Sequence, residues 1–256
     1  MLREGLRKHN IGLNKDFRYR GEDPGRLENF SDAVFALAIT LLLISTTPPA
    51  NFYQIQRFVI DLIPFLLCVV FIVLIWHEHY VFYLRYGLRH GKIIVLNTLF
   101  LIIVLFYVYP LKFLTKLIEY PIALLIKDEI LLHDLQGMIS GKDMADLMVI
   151  YGLGASGVFF TLMLMYRYAL ANAEELELNA IEIFETREKI RANLLMGVVP
   201  LLSVLIAAIF NNYWQAGMIA GFFYMLYMPV MFIHANKSSQ QRKKVIAAQQ
   251  ADAGLE

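Results

Sequence analysis

Arg26, Ser31 and Asp32 stand directly before an apolar run, Ala33-Val-Phe-Ala-Leu-Ala-Ile-Thr-Leu-Leu-Leu-Ile-Ser-Thr-Thr47, so an ionisable cluster opens a segment long enough to enter a bilayer. A carboxylate at the edge of hydrocarbon is costly unless it has a partner or a water-filled neighbour. Arg26 and Ser31 are close enough in sequence to supply one, and a plain membrane anchor needs no such cluster. On a helix, Ala33, Leu37, Thr40, Ile44 and Thr47 recur at i, i+4, i+7, i+11 and i+14 and form one narrow stripe. Around an axis shared by several copies, that stripe would give apolar rings at Leu37 and Ile44 with a hydroxyl ring at Thr40 between them. Apolar rings can gate by dewetting, and hydroxyls can replace part of an ion's hydration shell. Periodicity alone also fits a simpler arrangement, a helix packed in a bundle with Thr40 bonded to its own backbone.

Two other motifs invite chemistry. In His77-Glu78-His79 the histidines are two positions apart, so on a helix they point about 200° from one another and do not easily chelate one ion. Trp76 and one histidine fit better as interfacial anchors and hydrogen-bond partners. Gly152-Leu-Gly154-Ala-Ser-Gly157 matches the dinucleotide-binding pattern, but it lies within an apolar span and not between a strand and a helix. Close helix packing accounts for it: Gly152 and Ser156 form a small-xxx-small pair, as do Gly217 and Gly221.

The elements that must position these residues are membrane helices. Apolar residues make up 58% of the 256-residue chain, charged residues 18%, and the mean hydropathy is +0.54. An all-α polytopic membrane protein follows, with six candidate spans near residues 29–47, 56–80, 93–114, 145–170, 192–210 and 213–234. This divides the chain into an N-terminal segment (1–25), a six-helix body (26–234) and a C-terminal tail (235–256) that is polar and expected to fray. Most of the 23 basic residues fall before span one, between spans two and three, between four and five, and after six, which places both termini in the cytoplasm. Pro48-Pro49 closes span one, Pro64 predicts a kink in span two, and Pro110 a break after span three. The charged and apolar residues of 111–143 predict an external interfacial segment, and Glu174 to Ile190 a solvated cytoplasmic extension. No cleavable signal is expected, and Cys68, the only cysteine, is expected to be a small buried residue.

Arg26-x-x-x-Phe30-Ser31-Asp32, followed by Thr40-Leu41-Leu42, resembles the signature of the transmembrane protein 175 family of potassium channels. Six spans with cytoplasmic termini, Trp76-His77 late in span two and Asn97 in span three are similar to the same pattern. The resemblance implies that span one of each subunit lines a pore through Leu37, Thr40, Leu41, Ile44 and Thr47, with the apolar constriction at Leu37. It implies a polar network of Arg26, Phe30, Ser31, Asp32, His77 and Asn97 at the cytoplasmic end. Animal members carry two six-span repeats and pair as dimers, so a single repeat implies a homotetramer, in a prokaryotic cell membrane.

The expectation is therefore a potassium-selective channel with no enzymatic activity, no cofactor, no resident metal and no nucleic-acid partner; potassium ions passing Thr40 and the lipid bilayer are its ligands. The sequence lacks a Thr-Val-Gly-Tyr-Gly filter and a voltage-sensing arginine repeat. The alternatives are a secondary transporter, disfavoured by the scarcity of intramembrane carboxylates and broken helices, and a non-conducting membrane scaffold.

Overall fold

The computed structural model describes residues 17–44, 51–116, 141–210 and 216–253, with the isolated residues 124, 125, 127, 132 and 133. Every regular element among them is helical: α1 (Arg26–Ile44), α2 (Phe52–Tyr86), α3 (Gly91–Lys116), α4 (Gly141–Ala171), α5 (Ala180–Ile209), α6 (Ala216–Phe222), a 3-10 turn (Phe223–Leu226) and α7 (Tyr227–Ala253). Five stretches are long and apolar enough to cross a membrane, within α2, α3, α4, α5 and the run from Ile219 to Ala247. The chain is thus an all-α polytopic membrane protein. Helix α1, expected as the sixth span, is described for 19 residues. Thr47 and most of the 111–143 external segment lie outside the described residues, as do the side chain of Ile44 and residues 1–16.

Helices α1, α2 and α3 pack mutually, α4 bridges from α3 to α5 and α6, and α7 returns along α5. One core runs from Phe35, Ala38 and Leu42 of α1 through Cys68, Ile72, Phe100 and Val104 to Leu162, Met165 and Tyr166 of α4; a smaller one joins Ala145, Met148 and Tyr151 to Ala207 and Ala220. Near the α2–α3 connection Phe82 and Tyr86 each meet Tyr166 edge to face, and Phe17 joins them with its ring 5.8 Å from that of Tyr86. Residues 17–25 are therefore packed against the helical body.

Several helices outrun the sequence expectation. Pro110, expected to break the chain after span three, lies inside α3, while Pro64 lies within α2 as a proline inside span two must. A proline ring removes the helical hydrogen bond from its own nitrogen to the carbonyl four residues earlier, a loss that membrane helices tolerate; Tyr151 of α4 also donates to the Pro110 carbonyl, which ties α4 to α3 at this point. The stretch expected to be a solvated extension instead opens α5: Asn179 caps it, Glu182 closes a capping box, and Ile181, Glu182, Glu185, Thr186 and Glu188 are buried. The tail expected to fray continues α7 to Ala253.

Close helix packing explains the glycine pattern in α4. A Cβ on Gly152 would stand 2.3 Å from Val204 Cγ2 and 2.8 Å from the Pro200 carbonyl oxygen, and Ser156 Oγ donates to the Gly197 carbonyl at 3.0 Å. In the second pair only Gly217 is tight, since a Cβ there would stand 2.4 Å from Met144 Cγ, while Gly221 has open space. Gly152→Ala is expected to force α4 from the α5 backbone and lower stability by about 1–3 kcal/mol. Gly221→Ala is expected to leave stability unchanged within roughly 0.5 kcal/mol. Thermal unfolding of the two variants in detergent checks both.

Candidate functional site

Helix α1 has two unlike faces. Ser31, Phe35, Ala38 and Leu42 follow one another at i, i+4, i+7 and i+11 and are all buried against α2 and α3. Ala33, Ala36, Leu37, Thr40 and Leu41 lie on the opposite side and are exposed in the single chain, Leu37 by 51%. Three members of the expected stripe therefore share an uncovered face. Thr40 Oγ1 donates to the Ala36 carbonyl at 2.9 Å, the local backbone bond that periodicity allowed, and it remains exposed while doing so.

What fixes this rotation is a buried chain of hydrogen bonds. Asn97 of α3 is fully buried; its Nδ2 donates to Ser31 Oγ at 3.0 Å, and its Oδ1 lies 2.7 Å from His79 Nε2. An amide oxygen only accepts, so His79 carries its proton on Nε2. Ser31 in turn donates to the Leu27 carbonyl at 2.8 Å. The His79 ring is stacked on Phe100 and tilted against Phe35, so apolar rings enclose the polar chain.

The expected network is corrected at three places. His79, and not His77, meets Asn97; His77 is exposed, because α2 turns its neighbour two positions on toward α3. Asp32 points away from Ser31 and accepts from Trp76 Nε1 at 2.7 Å, with Trp76 stacked on Tyr80. Arg26 is exposed and makes no hydrogen bond or ion pair among the described residues, and Phe30 is exposed as well. Sequence reasoning missed Glu28. It is buried in the first turn of α1, accepts from the Gly25 backbone N–H, and has Arg89 at 3.9 Å. Burial pushes its carboxyl up from the ordinary glutamate range, Arg89 draws it back, and the nearby Asp32 charge adds to the rise. Its position, an acid in the first helical turn, was a signal available in the sequence.

Asn97→Ala would leave Ser31 Oγ and His79 Nε2 short of a buried partner. The expected loss is about 1–3 kcal/mol, whereas His77→Ala should change stability by less than roughly 0.5 kcal/mol. Paired thermal melts separate the two histidine assignments, since His79→Ala should behave like Asn97→Ala.

The chain's relatives bear on this helix. A family model described as "Endosomal/lysosomal potassium channel TMEM175" matches residues 26–107, which include α1, α2 and most of α3. A protein from Marivirga tractuosa named "Potassium channel" is 42% identical over 240 residues, spanning 92% of this chain and 96% of that protein. The crystal structure of the potassium channel MtTMEM175 T38A variant, in complex with a nanobody–MBP fusion protein, is also 42% identical, with a TM-score of 0.80 over 90% of this chain and 100% of that one. These relatives are named as channels and not as enzymes. With that identity extending over nearly the whole of both chains, the protein belongs to the TMEM175 family of channels.

Proposed function

We propose that the chain is a potassium-selective cation channel, a homotetramer in which α1 of each subunit faces a shared central axis. The observation that carries this reading is the uncovered stripe of Ala33, Leu37 and Thr40, opposite a face of α1 that is locked by Ser31 and Asn97. A single helix cannot enclose a pathway, so the stripe becomes a pore only when copies of the chain bring several together.

In that arrangement Leu37 forms the narrowest apolar ring, where water and ions are excluded until the helices separate. Thr40, with its hydroxyl hydrogen committed to Ala36, presents oxygen lone pairs to a passing potassium ion and contributes to selectivity. Leu41 flanks this ring, Ile44 forms a second constriction, and Thr47 belongs to the external mouth. The cluster of Ser31, Asn97 and His79 sets the rotation of α1 and does not touch the ion. Both termini face the cytoplasm of a prokaryotic cell membrane, in keeping with the excess of Lys and Arg on that side. A secondary transporter or non-conducting scaffold is the alternative; no observation in the structure favours either.

The test is the reversal potential of purified protein in planar bilayers with potassium on one side and sodium on the other. A shift toward the potassium equilibrium potential is expected. Thr40→Ala is expected to reduce the potassium-to-sodium permeability ratio several-fold, and Leu37→Ala to raise open probability several-fold. If neither variant alters current, α1 does not line the pathway.

A further inference from the structure

Beyond the residues of α1 itself, we infer that Arg20 is a positioning residue for the pore helix: with Glu182 it latches the strap of residues 17–25 to the α4–α5 elbow and so fixes where α1 begins. The inference rests on the reading of α1 as the pore helix.

The strap lies along the cytoplasmic end of α2. Arg20 N–H donates to the Arg85 carbonyl at 3.4 Å and Gly21 N–H to the Leu84 carbonyl at 3.0 Å. Gly21 is required by this approach, because a Cβ there would stand 2.0 Å from the Tyr83 carbonyl oxygen. From Arg20 the chain needs only six positions to reach Arg26, the first residue of α1, and Arg89 Nη2 grips the Asp23 carbonyl between them at 2.8 Å. Nothing in this short path is long enough to absorb a movement of its anchor.

The anchor uses the whole guanidinium of Arg20. Its Nη2 donates to Glu182 Oε2 at 2.8 Å and to the Glu177 carbonyl at 3.0 Å, Nη1 to Glu182 Oε1 at 3.1 Å, and Nε to the Leu176 carbonyl at 2.6 Å. Glu182 Oε1 also accepts from the Arg18 backbone N–H at 2.7 Å, and Oε2 from the Asn179 N–H at 3.0 Å. The Glu182 side chain is 1% exposed and that of Arg20 12%, so solvent and salt screen this pair weakly. Arg18 and Glu177 also pair, but both are exposed and add little. The elbow is unusual in itself: Glu177 has φ 49°, a left-handed conformation that non-glycine residues seldom adopt, and Arg20 grips the carbonyls of Leu176 and Glu177 there. One side chain thus joins the entry of α1 to the hairpin of the two helices that pack on each other most extensively.

A Lys at position 20 would keep the charge but lose the planar fork that reaches Glu182 and both carbonyls at once. The experiment compares Arg20→Gln, Arg20→Lys and Glu182→Gln with the parent as purified full-length protein. Single-channel open probability is expected to change at least five-fold in all three, with unitary conductance and reversal potential unchanged, and Arg20→Lys is expected not to rescue. Because open probability is read per channel, a smaller yield of folded protein does not mimic this result. Hydrogen–deuterium exchange gives a readout independent of current: residues 23–31 are expected to exchange at least ten-fold faster in Arg20→Gln. Unchanged open probability in folded channels, or unchanged exchange at 23–31, overturns the latch. Absence of current in the parent would instead remove the channel reading, and the exchange result would still decide whether Arg20 positions α1.

Discussion

A single buried amide decides how α1 meets the other helices. Asn97 has both ends of its side chain engaged, one with Ser31 on α1 and the other with His79 on α2. A fully buried amide cannot leave either end unmade without the desolvation cost of a lost hydrogen bond. Rotating α1 by one residue would carry Ser31 about 100° away from Asn97. It would also swap Phe35, Ala38 and Leu42 out of the core for Leu37 and Leu41. Dispersion alone between lipid-like side chains is tolerant of such slippage, so the directional polar chain is what makes the orientation unique. The face carrying Leu37 and Thr40 is outward because the other face is pinned.

The helix ends nearest the strap are joined by a second set of polar contacts, organised by acids on α5. Glu182 receives Arg20, Glu185 receives both Arg85 at 3.2 Å and Arg242 at 3.1 Å, and Glu188 pairs with Arg191. Glu78 on α2 is held by Lys189 at 2.7 Å. Glu182, Glu185 and Glu188 lie about one turn apart along α5; Glu182 reaches the strap, Glu185 both the end of α2 and the return helix α7, and Glu188 a residue of its own helix. Arg85 Nε and Nη1 have no hydrogen-bond partner among the described residues, yet the guanidinium lies 4.5 Å from the centroid of the Phe17 ring. A cation over a ring face recovers part of what the missing bonds would supply. Basic residues at this end of the bundle therefore tie the helices together.

Within the bilayer the helices approach through small residues instead. Gly152, Ser156 and Gly197 let the α4 and α5 backbones come close, and Gly154 accepts the edge of the Tyr107 ring from α3. Polar residues at the helix ends and small residues at depth follow from the solvent each part meets. Charge is tolerated where water is near, and van der Waals contact must serve where it is not.

The all-helical class, the membrane location, the shared face of Ala33, Leu37 and Thr40 and the packing role of Gly152 and Ser156 were legible in the sequence, because apolar length and helical period are local properties of the chain. The family resemblance named Ser31 and Asn97, which the structure joins by a hydrogen bond. Which histidine completes the network was not legible: His77 and His79 point about 200° apart, and only the rotation of α2 against α3 selects one. The buried acids of α5 escaped for a related reason, since a charged stretch reads as solvated until distant arginines, Arg20 and Arg85, are brought against it. Pro110 escaped because a proline inside a membrane helix costs a single hydrogen bond and need not end the helix. Sequence by itself determined where the long apolar helices lie, because apolar length is local; tertiary structure alone decided which polar groups meet, because hydrogen bonds and ion pairs act over a few ångströms between residues far apart in the chain.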